Sequence, residues 1–193
     1  MAIFRRGSDP HALVVAMTGI TMGERLLQIG SRDRAMLGAL AAKVGLSGRA
    51  AAVVFTDEEV ARAQASAARA GALVDVDRSD DGTMPYQADD FDLIVIDNTG
   101  DAIGAMTPER RVRTLQEARR VLRPGGRILL VEAAERGGLG ALFTRRAIND
   151  HFRAGGGATA ALEAEGFRSV RVLAEREGRR FIEGLKARAS APA

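Results

Sequence analysis

The side chains placed to move a proton or hold a polar ligand stand mostly just after apolar runs. The run that starts at Phe91 closes with Asp97 and Asn98. A carboxylate and an amide there either orient a bound molecule or cap the following turn, and the sequence leaves both open. A shorter run leads through Gln28 to Gly30 and Ser31. A third ends at Val54 and Phe55 and is followed by Thr56, Asp57, Glu58 and Glu59. Thr56 and Glu59 form a capping box, so these acids equally suit the first turn of a helix. Asp80 and Asp81 lie in an acidic loop that reads either as a ligand edge or as solvated surface. His151 is a candidate general base, yet it and His11 both read more simply as lone surface histidines. No spacing of His, Asp and Glu suggests a metal site. With no cysteine, disulfides, thiolate ligands and cysteine nucleophiles are excluded.

These residues need elements to position them. Asp9-Pro10 predicts the start of a helix over 12–17, ending near Gly19. Strands are expected at 25–29, 50–55, 72–76, 91–97 and 127–132. Between them, Leu37, Leu40, Ala41 and Val44 recur at helical spacing, and a second helix runs from the capping box to Ala70. Thr107-Pro108 opens another helix, with Val112, Leu115, Ala118 and Leu122 inward, which Pro124-Gly125-Gly126 breaks. After a glycine loop, residues 141–152 form an amphipathic stretch and 158–165 a short helix. Two strands, 167–175 and 179–185, meet around Glu177-Gly178 as an antiparallel hairpin. Alternating strands and helices define an α/β fold with a largely parallel sheet.

The chain has 193 residues, 46% hydrophobic and 27% charged, which suits one globular domain. Residues 1–22 read as an N-terminal helical segment, 23–186 as the domain and 187–193 as a flexible tail. The net charge of +3 comes almost wholly from arginine, since Lys43 and Lys186 are the only lysines. The arginines are spread along the chain, so there is no strong nucleic-acid signal. No apolar run is long enough for a membrane span, and no signal peptide is apparent, so a cytoplasmic setting is expected.

Three stretches carry a resemblance to a known family. Residues 84–95, MPYQADDFDLIV, are followed by 115–132, LQEARRVLRPGGRILLVE, and then by 166–171, GFRSVR. Together they resemble the class I S-adenosylmethionine-dependent methyltransferases, with the ubiquinone- and menaquinone-biosynthesis branch nearest in flavour. The likeness spans roughly 23–186. It implies a Rossmann-like, seven-stranded, mostly parallel sheet ending in an antiparallel hairpin, with S-adenosylmethionine as cofactor. Carried over by position, the cofactor residues are Gln28, Gly30, Ser31, Thr56, Asp57, Asp80, Asp81 and Asp97. Weak catalytic candidates are Asp97, Asn98 and His151.

The sequence departs from that pattern at the cofactor end. Gln28 stands where the family has an acid, and Arg32 and Arg34 replace two loop glycines. Val54 stands where an acid would accept bonds from the ribose hydroxyls. Two readings follow: methyl transfer to a small, apolar molecule, or a non-catalytic methyltransferase-fold protein that lost its cofactor and serves as a partner or scaffold subunit. A dinucleotide site is a poor fit, because no G-x-G-x-x-G occurs at Gly30. Residues 137–152 are the expected substrate lid; their apolar face, edged by Arg145, Arg146 and Arg153, equally suits a homodimer contact.

Overall fold

Two apolar runs form the middle of the sheet. A computed structural model describes residues 11–134 and 150–188. Strands β1 (Arg25–Ile29), β2 (Arg49–Val54), β3 (Asp75–Arg78), β4 (Phe91–Asn98), β5 (Leu122–Ala133), β6 (Arg168–Arg176) and β7 (Arg179–Leu185) join in one seven-stranded sheet. Their order is β3-β2-β1-β4-β5-β7-β6. Pairing is parallel from β3 to β5, and β7 runs antiparallel to both β5 and β6. This is the Rossmann-like sheet with a terminal hairpin that the sequence predicts.

Helices α1 (Ala12–Thr18), α2 (Met36–Val44), α3 (Asp57–Ala70), α4 (Ala102–Ala105), α5 (Pro108–Val121), α6 (Asp150–Ala154) and α7 (Gly157–Ala164) complete the described residues. The central strands feed two cores. Leu27, Ile29, Ile94, Ile96, Ile128 and Leu130 pack with residues of α5 and α7. Leu26, Leu93, Val95, Leu129 and Val131 pack with α1 and α2. A strand buried on both faces must be apolar at its centre, which explains the run 93–96 in β4. Helices α2 and α3 touch closely at Gly38, where a Cβ would come within 2.4 Å of the Ser66 carbonyl oxygen.

Several expected boundaries shift. The third strand starts at Asp75, because Gly71 and Ala72 still close α3 by donating to Ala68 and Ala67. The second strand ends at Val54, because the Phe55 N–H donates to the Glu59 carboxylate instead of the ladder. Pro124-Gly125-Gly126 does not separate α5 from the next strand: it lies inside β5, with Gly125 and Gly126 exchanging backbone bonds with Lys186. Val112 is 39% exposed, since α5 turns Thr114, Leu115, Ala118 and Val121 inward instead, and Leu122 is buried in β5. Asp9-Pro10, residues 137–149 of the expected lid, and 189–193 of the expected tail lie outside the described residues.

Candidate active site

The carboxyl ends of parallel strands leave a crevice where α/β folds take ligands. Here β1 ends in Gly30, whose φ of +78° a side-chain-bearing residue rarely adopts. A Cβ at Gly30 would lie 3.2 Å from the Asp97 carbonyl oxygen, so the loop passes tightly over the end of β4. The Gly30 N–H donates to Val53 O (2.8 Å), and its carbonyl accepts from Gln28 Nε2 (2.9 Å). Gln28 and Ser31 are fully buried, and Gln28 Oε1 and Ser31 Oγ find no hydrogen-bond partner. The Ser31 carbonyl accepts from Arg62 Nε of α3 (2.8 Å), and the Arg34 carbonyl accepts from Arg69. The stem of Arg32 runs beside Gly100.

Asp97 is buried beneath this loop. It accepts from Asp33 N (2.6 Å), Thr99 Oγ1 (2.6 Å) and Thr99 N (3.2 Å). Burial pushes its carboxyl above the ordinary value, against those hydrogen bonds. Asn98 accepts from Ile103 N (2.9 Å) and so braces the turn into α4; its amide also reaches Glu132 (3.4 Å). Glu132, at the end of β5, faces Arg180 of β7 (3.3 Å). Burial raises the Glu132 carboxyl, with Arg180 the largest opposing influence.

The ends of β2 and β3 are built differently. Val54 is fully buried with Leu37, Ala52 and Ala63, so it offers no acceptor. Thr56 caps α3 by accepting from Glu59 N (3.2 Å). Asp57 and Asp80 share Arg78, at 2.7 and 2.9 Å. Asp81 accepts from Thr83 N and Oγ1 and pairs with Arg113 (2.9 Å); the Thr83 bonds and that cation hold its carboxyl down to about 2. Above them the Arg110 guanidinium lies 4.8 Å from the Phe55 ring centroid and donates to Ser79 O (3.1 Å).

Gln28, Gly30, Ser31 and Asp97 therefore meet in one place, while Thr56, Asp57, Asp80 and Asp81 border the neighbouring strand ends. His151 falls in α6, but its side chain lies outside what is described. His11 is not a surface histidine: it is 8% exposed, with Nε2 2.8 Å from Asp33 Oδ1. Asp33, Thr99, Glu132 and Arg179 also escaped the sequence reading. Asp33 sits between the two loop arginines, and Glu132 ends a predicted strand; those placements were their only signals. Among the described residues, no group of His, Asp and Glu could hold a metal, and no helix is long and apolar enough to cross a membrane.

A parallel sheet reversed at its last strand, with a glycine turn after β1, defines an α/β ligand-binding fold of the class I methyltransferase type. Residues 26–126 match the sequence profile described as "Methyltransferase domain", and the chain belongs to that family. A protein of Mycobacterium tuberculosis (strain ATCC 25618 / H37Rv), described as uncharacterized, is 31% identical over 134 residues, covering 68% of this chain and 45% of its own length. The chain thus spans about half the length of the curated relatives it matches. Among solved structures, a SAM-dependent methyltransferase from Aquifex aeolicus superposes with a TM-score of 0.68 at 21% identity, covering 92% of this chain and 89% of that one. A putative O-methyltransferase from Nostoc punctiforme gives 0.70 at 13% identity, covering 92% and 56%. Both likenesses concern the fold. Family membership implies S-adenosylmethionine as cofactor, and the observation at the loop that accords with a polar ligand is the pair of buried oxygens, Gln28 Oε1 and Ser31 Oγ, that have no hydrogen-bond partner within the protein.

Proposed function

We propose that this protein binds S-adenosylmethionine over the carboxyl ends of β1, β2 and β4 and transfers its methyl group to a small, apolar molecule in the cytoplasm. The observation that carries the reading is the pair of buried, unpartnered oxygens, Gln28 Oε1 and Ser31 Oγ, flanking Gly30. A buried acceptor without a donor costs about 1–3 kcal/mol, which a ligand donating at this loop offsets. Gln28, Gly30 and Ser31 would hold one end of the cofactor. Thr56, Asp57, Asp80 and Asp81 would border the other, and Asp97 supports the loop from below. The cofactor, when bound, supplies an activated methyl group; the chain's part is to hold the acceptor in line and exclude water. Asn98 and Glu132 would orient the acceptor, and Glu132 is placed to take a proton from it. His151 stays a second candidate base. Leu139, Leu142, Phe143, Ile148 and Phe152 of the lid sequence support an apolar acceptor.

Isothermal titration with S-adenosylmethionine tests the reading. A dissociation constant below about 1 mM is expected. Absence of heat and of any melting shift at several millimolar overturns it. Val54 supports a second reading, a cofactor-free partner subunit, because it places a buried methyl-bearing side chain where an acceptor is needed. The same titration separates the two.

A further inference from the structure

The loop from Gly30 to Met36 carries Arg32 and Arg34 where pliant glycines are expected, so something else must set its shape. Asp33 does this through both ends of its carboxylate. Oδ1 accepts from Ala35 N (3.0 Å), Met36 N (3.1 Å) and His11 Nε2 (2.8 Å). Oδ2 accepts from Arg179 Nη2 (2.8 Å) at the start of β7. The backbone N–H of the same residue donates to Asp97 Oδ2. One residue thus ties the loop to its own helix α2, to His11 at the head of α1, to the terminal hairpin and to the floor of the site. The three side chains are little exposed: 14% for Asp33, 10% for His11 and 19% for Arg179. Screening by water is weak at such burial, and charge-assisted hydrogen bonds are correspondingly strong. Desolvation opposes the Asp33 charge, yet the bonds from Ala35 and His11 and the nearby Arg179 outweigh it and hold the carboxyl below its ordinary value.

We infer that Asp33 is a positioning residue of the cofactor loop, a clasp that fixes residues 30–36 over Asp97 by anchoring them to His11 and Arg179. The inference rests on the proposed cofactor site. It makes α1 and β7 part of that site, through His11 and Arg179. It also explains how the loop keeps one conformation without the glycines: bonds to fixed neighbours replace conformational freedom.

The test uses the full chain and two variants, Asp33→Asn and Arg179→Gln, with Arg179→Lys as the conservative control. Amide hydrogen exchange over 30–36 and titration with S-adenosylhomocysteine, the demethylated cofactor, are read together. Both variants should speed exchange in 30–36 while leaving β4 unchanged, and should weaken S-adenosylhomocysteine at least fivefold; Arg179→Lys should recover most of both. Unchanged exchange, or weakening below fivefold, overturns the clasp. If the unmodified protein binds no S-adenosylhomocysteine, the cofactor reading fails, and the exchange measurement alone decides whether Asp33 holds the loop. Should Asp33→Asn fail to fold, Arg179→Gln, altered at the first residue of β7, carries the test.

Discussion

The loop after β1 and the segments after β2 and β3 end at the same rim of the sheet, yet they solve the polar problem in opposite ways. After β1 the polar groups go inside. Gln28, Ser31 and Asp97 are buried, and Asp33 is nearly so. After β2 and β3 the buried position is apolar, at Val54, and the acids stand at the surface in ion pairs with Arg78 and Arg113. Buried polar groups specify one geometry because leaving them unpaired is costly. Exposed ion pairs specify little, since water and salt compete for them. The β1 side is therefore the rigid half of the candidate site, and the β2–β3 side is the adaptable half.

Four substitutions break or sharpen this contrast, the largest expected effect first. Val54→Asp places a carboxyl in a packed apolar cluster. Lost burial of about 1.5–3 kcal/mol and an unpartnered polar group of about 1–3 kcal/mol should together lower stability by about 3–5 kcal/mol in urea melts. A loss under about 1 kcal/mol, with tighter S-adenosylmethionine binding, would mean that the crevice reaches Val54 and that the contrast is false. Asp33→Asn comes next, at about 1.5–3 kcal/mol, because it removes the charged acceptor facing Arg179. Gly30→Ala should cost about 1–2 kcal/mol from the positive φ. It should also abolish cofactor binding, because its Cβ would crowd the Asp97 carbonyl.

Asp81→Asn should have the smallest effect, and its pH dependence identifies it. The Asp81 carboxyl is lowered from 3.8 to about 2 in the folded protein, so it stabilises above the unfolded value and loses that contribution as pH falls through the folded one. The small destabilisation of Asp81→Asn at neutral pH should fade as pH falls and vanish only below about pH 2, and about 1 M salt should remove the share that comes from Arg113. The Asp33→Asn effect, from a carboxyl also held low, should fade in acid too but survive the salt. Equal salt sensitivity of the two variants would remove the distinction between the halves.

The sheet was legible because its causes are local. The apolar run from Leu93 to Ile96 announces a strand buried on both faces, and Thr56 with Glu59 announces the start of α3. Pro124-Gly125-Gly126 misled because a turn-forming triplet can be absorbed into a strand where Lys186 supplies the partner bonds. At the candidate site, Gly30 and Asp97 were found because each closes a run. His11 and Arg179 were not, because their partner Asp33 lies 22 and 146 residues away, and no periodicity reports on such pairs. Val54 was read from its type alone, and its full burial adds that an acid there would need the surrounding packing to open.

The tie between Asp33 and Arg179 also has a meaning in time. β7 inserts between β5 and β6, and it is the last strand in sequence among the described residues. Contacts across so long a sequence separation form late, because the chain must close a large loop before they can reward it. The rim at β1 is thus synthesised well before β7, yet it acquires its final form only with that strand. Competence to take a ligand there is a property of the finished fold, reached only when the terminal hairpin has docked.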